Sequence, residues 1–167
     1  MSLIFPVYCI ADVPISVIER LLSDSLEGSN KLAPGSEPSL AIVTTANEVP
    51  TTASWPPLPP FTSPFLGQSV EEVSDQFAHI THFAVLDERS INDETATLVQ
   101  RGSLGDVQTA RVTFGSVQSV LIALDVATIG FSEIQSIAAF KGDVYGIDSG
   151  SPKKGQPAPR MRLGGGS

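Results

Sequence analysis

Polar groups follow three apolar runs of this chain: Asp12 after residues 4–11, Thr44 and Thr45 after 40–43, and Asp87-Glu88-Arg89 after 82–86. If those runs are strands of an open α/β sheet, their carboxyl ends are where ligands bind. Carboxylates gathered there with hydroxyls can hold a hard cation or serve as acid and base. Asp12, Asp87 and Arg89 are therefore the candidate catalytic residues of a small enzyme, with Thr45, Asp87 and Arg89 as binding groups. Each also has a plainer use. Asp12 stands where a helix cap belongs, and Asp87-Glu88-Arg89 suits a turn with a local ion pair.

Other chemistry-bearing residues are few. His79 and His82 are the only histidines, and spacing of i, i+3 at a helix end can put two imidazoles on one face, with Asp75 one turn earlier. They are the sole metal-ligand candidates, and they lack a third ligand. Imidazoles at a helix C-terminus also serve simply by suiting the negative end of the dipole. No metal and no cofactor is expected. Cys9, the single cysteine, cannot form an intramolecular disulfide and reads as a buried, inert thiol in an apolar run. The chain has no G-x-G-x-x-G after a strand, no G-x-x-x-x-G-K-[ST] and no G-x-S-x-G elbow.

These residues need elements to position them. Residues 4–11 are rich in β-branched and aromatic side chains and read as a strand. Pro14 then falls in a first helical turn, and Ile15, Ile18, Leu21 and Leu22 follow at helical spacing. After a loop at 28–38, residues 40–45 form a continuous strand of the kind covered on both faces. Ser69 and Glu72 make a capping box, and Val70, Val73, Phe77 and Ile80 share the helix face behind it. A strand at 82–86 comes next. Residues 95–101 and 109–114 alternate and suit two paired strands turning at 102–106. Ser116 is placed to cap a helix through Leu124, Ser132 to Gln135 repeats the capping-box pattern, and a short strand at 144–147 closes the fold.

Alternation of strand and helix predicts an α/β domain, with α+β as the alternative. The expected architecture is a single domain at 1–148, with a mixed, mainly parallel sheet flanked by three or four helices. A proline-rich insertion interrupts it at 46–67, where Pro50, Pro56, Pro57, Pro59, Pro60 and Pro64 surround Trp55, Phe61 and Phe65. Proline at this density excludes helix and central strand. Trp55 and Phe61 are candidate binding residues, either in a polyproline II segment offered to a partner groove or in a loop stapled onto the domain.

Composition sharpens this picture. The chain has 167 residues, is 41% hydrophobic and carries a formal charge of -8. All 18 acids lie between Asp12 and Asp148 beside only six basic residues, so the body is near -12. Lys153, Lys154, Arg160 and Arg162 make residues 149–167 a flexible basic tail, ending in a glycine-rich stretch that reads as an appended linker. An acidic body argues against nucleic acid as a partner. No run approaches the roughly 20 apolar residues of a membrane span. The start of the chain does not read as a signal peptide, so the expected location is cytoplasmic.

The segments 83–90, 110–114 and 130–134 together resemble an uncharacterised domain-of-unknown-function family of small bacterial and fungal α/β proteins. The resemblance spans about residues 3–147. It implies a compact α/β domain, carries across only the Asp87 and Arg89 positions, and supplies no activity. Two functions stay open. One is a non-catalytic binding or protein-interaction module using the proline and aromatic loop and the basic tail, with an unknown protein or a second copy as partner. The other is a small enzyme acting on a small molecule through Asp12, Thr45, Asp87 and Arg89.

Overall fold

The structure is a computed structural model and describes residues 3–146. The expected basic tail at 149–167 lies outside the described residues. Five strands form one sheet, β1 (Phe5–Cys9), β2 (Leu40–Ile42), β3 (His82–Leu86), β4 (Thr95–Arg101) and β5 (Val107–Thr113), in the order β2-β1-β3-β4-β5. Pairings of β1 with β2 and β3 are parallel, and those of β3 with β4 and β4 with β5 are antiparallel. The α/β class is as expected, but the sheet is not mainly parallel. Its longest ladder joins β4 and β5, because seven alternating residues on each side of a tight turn pair more cheaply than a crossover.

Two apolar layers sandwich the sheet. On one face Val7, Cys9, Ile42, Ala84, Leu86 and Leu98 meet α1 (Ile15–Leu32), α4 (Val117–Asp125) and α5 (Phe131–Phe140). On the other, Tyr8, Val43, Phe83, Val85 and Val99 meet α2 (Val70–Gln76) through Val73 and Phe77, and meet Phe65 of the proline-rich loop. Tyr8 is the hub of this second layer, with ring centroids 5.1 Å from Phe65, 4.9 Å from Phe77 and 5.2 Å from Phe83. Edge-on and tilted rings at such distances suit the aromatic quadrupole. A loop thus completes a layer that a helix covers only in part.

Several boundaries differ from the pattern in the sequence. The cap position of α1 is Pro14, extended at φ -60°, and Asp12 lies outside the helix. α1 runs on through Gly28 to Leu32, where a loop is expected. Strand β2 stops at Ile42, leaving Thr44 and Thr45 exposed. A further helix, α3 (Glu88–Asp93), occupies the expected turn. α5 starts at Phe131 with Gly130 at its cap, so Ser132 is inside the helix and not its cap. The capping box at Ser69 and Glu72 is present, with both reciprocal bonds made.

Each sheet edge is covered in part. On β2, the Ser54 N–H donates to the Leu40 carbonyl at 2.8 Å, and the Ile42 N–H donates to Ser54 Oγ at 2.9 Å. On β5, Tyr145 forms a parallel bridge with Val112, and Gln135 Nε2 donates to the Thr109 carbonyl at 3.0 Å.

Gly28 explains how α1 sits so low. A Cβ there would lie 1.9 Å from the Gly115 carbonyl oxygen, in the 3-10 turn Phe114–Ser116 that precedes α4. Two glycines let backbone touch backbone. Gly28→Ala should therefore destabilise the fold by about 2–4 kcal/mol in urea unfolding, overriding the roughly 1 kcal/mol that alanine gains as a helix former. A neutral or stabilised variant would refute the contact.

Candidate functional site

The sheet end expected to hold a ligand is where the chain divides between α1 and the proline-rich loop, beyond β1 and β3. That crevice is filled. Ser63 Oγ donates to the Cys9 carbonyl at 2.5 Å, and the Gly67 N–H donates to the Ile10 carbonyl at 3.0 Å. Phe61, Ser63 and Leu66 line what remains of it beside Asp12, about 10 Å³, room for no more than one water. Burial pushes the Cys9 thiol up to about 12, which matches the inert role expected of it.

Nor do the four expected enzyme residues converge. Asp12 and Thr45 are exposed, each at the end of its own strand. Asp87 caps α3, accepting from the Ser90 N–H at 3.2 Å, while the Asp87 N–H donates to Ser90 Oγ at 3.0 Å. Arg89 does not pair with Asp87. It points outward and donates to Asp93, one turn along, at 2.7 Å. The local turn reading is correct in part: the local ion pair exists, inside a helix.

Asp87 instead meets Arg111, a residue that pattern alone does not single out. From β5, Arg111 Nη1 donates to Asp87 Oδ2 at 2.7 Å and Nη2 to Oδ1 at 2.8 Å, a two-pronged pair. Its Nε reaches Thr95 Oγ1 at 2.6 Å and Nη1 reaches Thr97 Oγ1 at 2.8 Å. Nη2 also lies 3.3 Å from the Thr95 carbonyl and 3.4 Å from Ser90 Oγ. Acceptors in the protein thus occupy all five N–H groups. The side chain is only 10% exposed. Arg111 is a clamp and not a ligand hook. One signal in the sequence pointed to it: threonines alternate along both neighbouring strands, at 95 and 97 and at 109 and 113, making one polar stripe around the arginine.

Burial opposes ionisation of Asp87, but hydrogen bonds and charge from Arg111, with help from Ser90, outweigh it and hold the carboxyl below its ordinary value. Asp93 is also lowered: burial again opposes, and the Thr95 hydroxyl and Arg89 prevail. Asp24 on α1 moves the other way, raised by burial and by the Glu94 carboxylate.

The histidines do not form a pair. α2 ends at Gln76, leaving His79 exposed, and His82 turns into β3 with its Nε2 2.8 Å from Gln100 Oε1. Asp75 is taken by Arg101 at 3.0 Å. Among the described residues no group of three or more His, Cys, Asp or Glu is placed to hold a metal ion.

Two hollows of ligand size lie among the described residues. One, of about 340 Å³, lies against β4 and β5 and has mixed walls, Ala110, Ala138 and Ala139 beside the polar Thr97, Thr109, Arg111, Gln135 and Asp143. The other, of about 370 Å³, lies under the proline-rich loop at the end of β2. Its walls are Ile42, Leu58, Pro59, Pro60 and Phe61, with the hydroxyls of Thr44 and Ser54 at its border. The loop framing it is pinned: Leu58 packs on the core and its N–H donates to Glu19 Oε2 at 2.8 Å. Of the expected loop aromatics, Phe61 is half-buried in the wall and Trp55 is 47% exposed beside Ser54. The stapled form of the loop, not a free polyproline II arm, is what the structure contains.

No protein-family model matches the chain, and no curated protein or solved structure matches it either. The resemblance to an uncharacterised family therefore rests on the quoted segments alone.

Replacing Arg111 by Met should cost about 2–4 kcal/mol in chemical unfolding, since Asp87 is left buried in part without its counter-charge. Asp87→Ala should cost a similar amount, and the two losses should not add in the double variant; simple additivity would sink the pairing. Because the folded-state pKa of Asp87 is depressed, its contribution is complete above the unfolded value near 3.8. It is lost as pH falls through the lower folded value. Wild-type stability should accordingly fall below about pH 4 more steeply than that of Arg111→Met. Parallel pH profiles would contradict this assignment.

Proposed function

We propose that this chain is a non-catalytic binding module that seats an apolar group of a partner in the hollow under the proline-rich loop. The observation that carries the reading is the hollow itself: about 370 Å³, walled by Ile42, Leu58, Pro59, Pro60 and Phe61, with no ionisable side chain in its lining. Apolar clefts of this size with a few border hydroxyls are the usual form of a binding site. Thr44 at the border, and Trp55 next to the border residue Ser54, are exposed and meet a partner without rearrangement. A protein partner is favoured over a second copy, since the loop and groups beside β5 already take up hydrogen bonds on each sheet edge.

A small enzyme is the second reading, and one observation favours it: the hollow at Thr97, Thr109, Gln135 and Asp143. There the guanidinium is fully engaged and no group stands as an evident nucleophile, so the binding module is the stronger reading. The uncharacterised α/β family remains the proposed kinship. A cytoplasmic setting belongs to the same reading, supported by a lone cysteine kept buried and unreactive. Among the described residues, no helix is long and apolar enough to cross a membrane.

The neutral fluorescent probe N-phenyl-1-naphthylamine provides the test. It should bind the wild-type chain and brighten. Thr44→Phe, a change at an exposed border position, should fill the hollow and weaken that binding by about tenfold, with Tm shifted by less than about 3 °C. Equal probe binding by the variant would overturn the assignment.

A further inference from the structure

Among the described residues, charge around the loop hollow is one-sided. Residues 32–88 contain no lysine or arginine, although they contain seven acids. On the loop side of the fold, Glu19 reaches the wall through its bond to the Leu58 N–H. Asp12 lies next to Phe61, which lines both this hollow and the filled crevice beside it. Glu48 is exposed on the segment leading to Ser54. Trp55 adds an exposed aromatic face next to Ser54 in the border. Meanwhile the arginines of the described region are engaged elsewhere: Arg20 with Glu94, Arg89 with Asp93, Arg101 with Asp75 and Arg111 with Asp87. None neutralises the carboxylates near the loop.

We infer that the occupant of the hollow is a cationic segment of another protein: an apolar side chain flanked by lysine or arginine. This rests on the binding reading above and deepens it. The apolar side chain fills the hollow, while the flanking cations meet Asp12 and Glu19 and lie over the Trp55 ring. A segment is required because these carboxylates stand outside the lining, so a ligand confined to the hollow does not reach them. Recognition runs through side chains, since Ser54 already occupies the β2 edge and leaves no ladder for strand addition.

Trp55 is the only tryptophan, so its emission reports directly on the site. Three capped pentapeptides form the test, titrated into the full chain: Lys-Lys-Phe-Lys-Lys, Ser-Ser-Phe-Ser-Ser and Lys-Lys-Ala-Lys-Lys. The first should shift the emission and bind at least about tenfold more tightly than either of the others; its advantage over the serine peptide shrinks between about 0.1 M and 1 M salt, as the Debye length falls from about 10 Å to about 3 Å, and its advantage over the equally charged alanine peptide does not. The double variant Asp12→Asn, Glu19→Gln should weaken the two lysine peptides, by about that factor for the first, and leave the serine peptide unchanged. The glutamine keeps an acceptor for the Leu58 N–H, and unchanged Tm shows the fold intact. If the serine peptide binds as tightly as the first, the cationic requirement is wrong and the apolar hollow survives. If the alanine peptide binds as tightly, the attraction is unspecific surface charge and the inference falls. If none of the three binds while the naphthylamine probe still does, the cationic segment is wrong and the apolar hollow stands; if the probe also fails, the binding reading falls with it.

Discussion

A guanidinium almost withdrawn from water must find a counter-charge and five acceptors, and much of this fold is arranged around meeting that demand for Arg111. The counter-charge comes from the end of β3, the hydroxyl acceptors from β4, and the remaining oxygen from the first turn of α3. Those elements lie where the sheet changes from parallel to antiparallel. Isolated, such a charge would cost several kcal/mol. Paired and saturated, it fixes how the hairpin of β4 and β5 is set against β3. The same saturation removes it from chemistry. An arginine in a hollow suggests anion binding, and counting its donors shows why this one has nothing left to offer.

The second organising feature is a loop that does the work of an element. Residues 43–69 carry Phe65 into the aromatic layer around Tyr8, take up hydrogen bonds on the β2 edge through Ser54, and fill the crevice beyond β1 with Phe61, Ser63 and Leu66. A sheet of this order ordinarily leaves that crevice open for a ligand. Filling it moves the concave surface outward, to the flank of the loop, where apolar walls and border carboxylates replace the usual cluster of polar strand ends. The candidate site is in this sense a by-product of how the second face of the sheet is covered.

Elements with local signals were legible in the sequence. The capping box at Ser69 and Glu72, the alternation of β4 and β5 and the helical spacing of Ile18, Leu21 and Leu22 all specify themselves within a few residues. The misreadings have non-local causes. Gly28, Ser29 and Asn30 look like loop, yet α1 continues because Gly28 meets Gly115, and Ser29 and Asn30 bond the chain that follows at Gly35 and Ser36. Asp87 was visible as a polar strand end, whereas its partner stands 24 residues away and shows only as an arginine among alternating threonines. Loop aromatics were visible as a group. Which of them would be buried, Phe65 rather than Trp55, depends on the surface they land on.

The partial cover on both edges bears on how the molecule behaves among its own copies. A strand edge with free donors and acceptors templates the next chain, and repetition of that step is how sheets grow into fibres. Here a serine from the loop stands at one edge, and a glutamine side chain and a single bridge at the other. Each uses up hydrogen bonds that an incoming chain would need. The cores of β1 and β3 are apolar enough to be hazardous if exposed. Crowded folding is therefore safest once the proline-rich loop has docked, and that loop protects the chain against aggregation as well as framing its hollow.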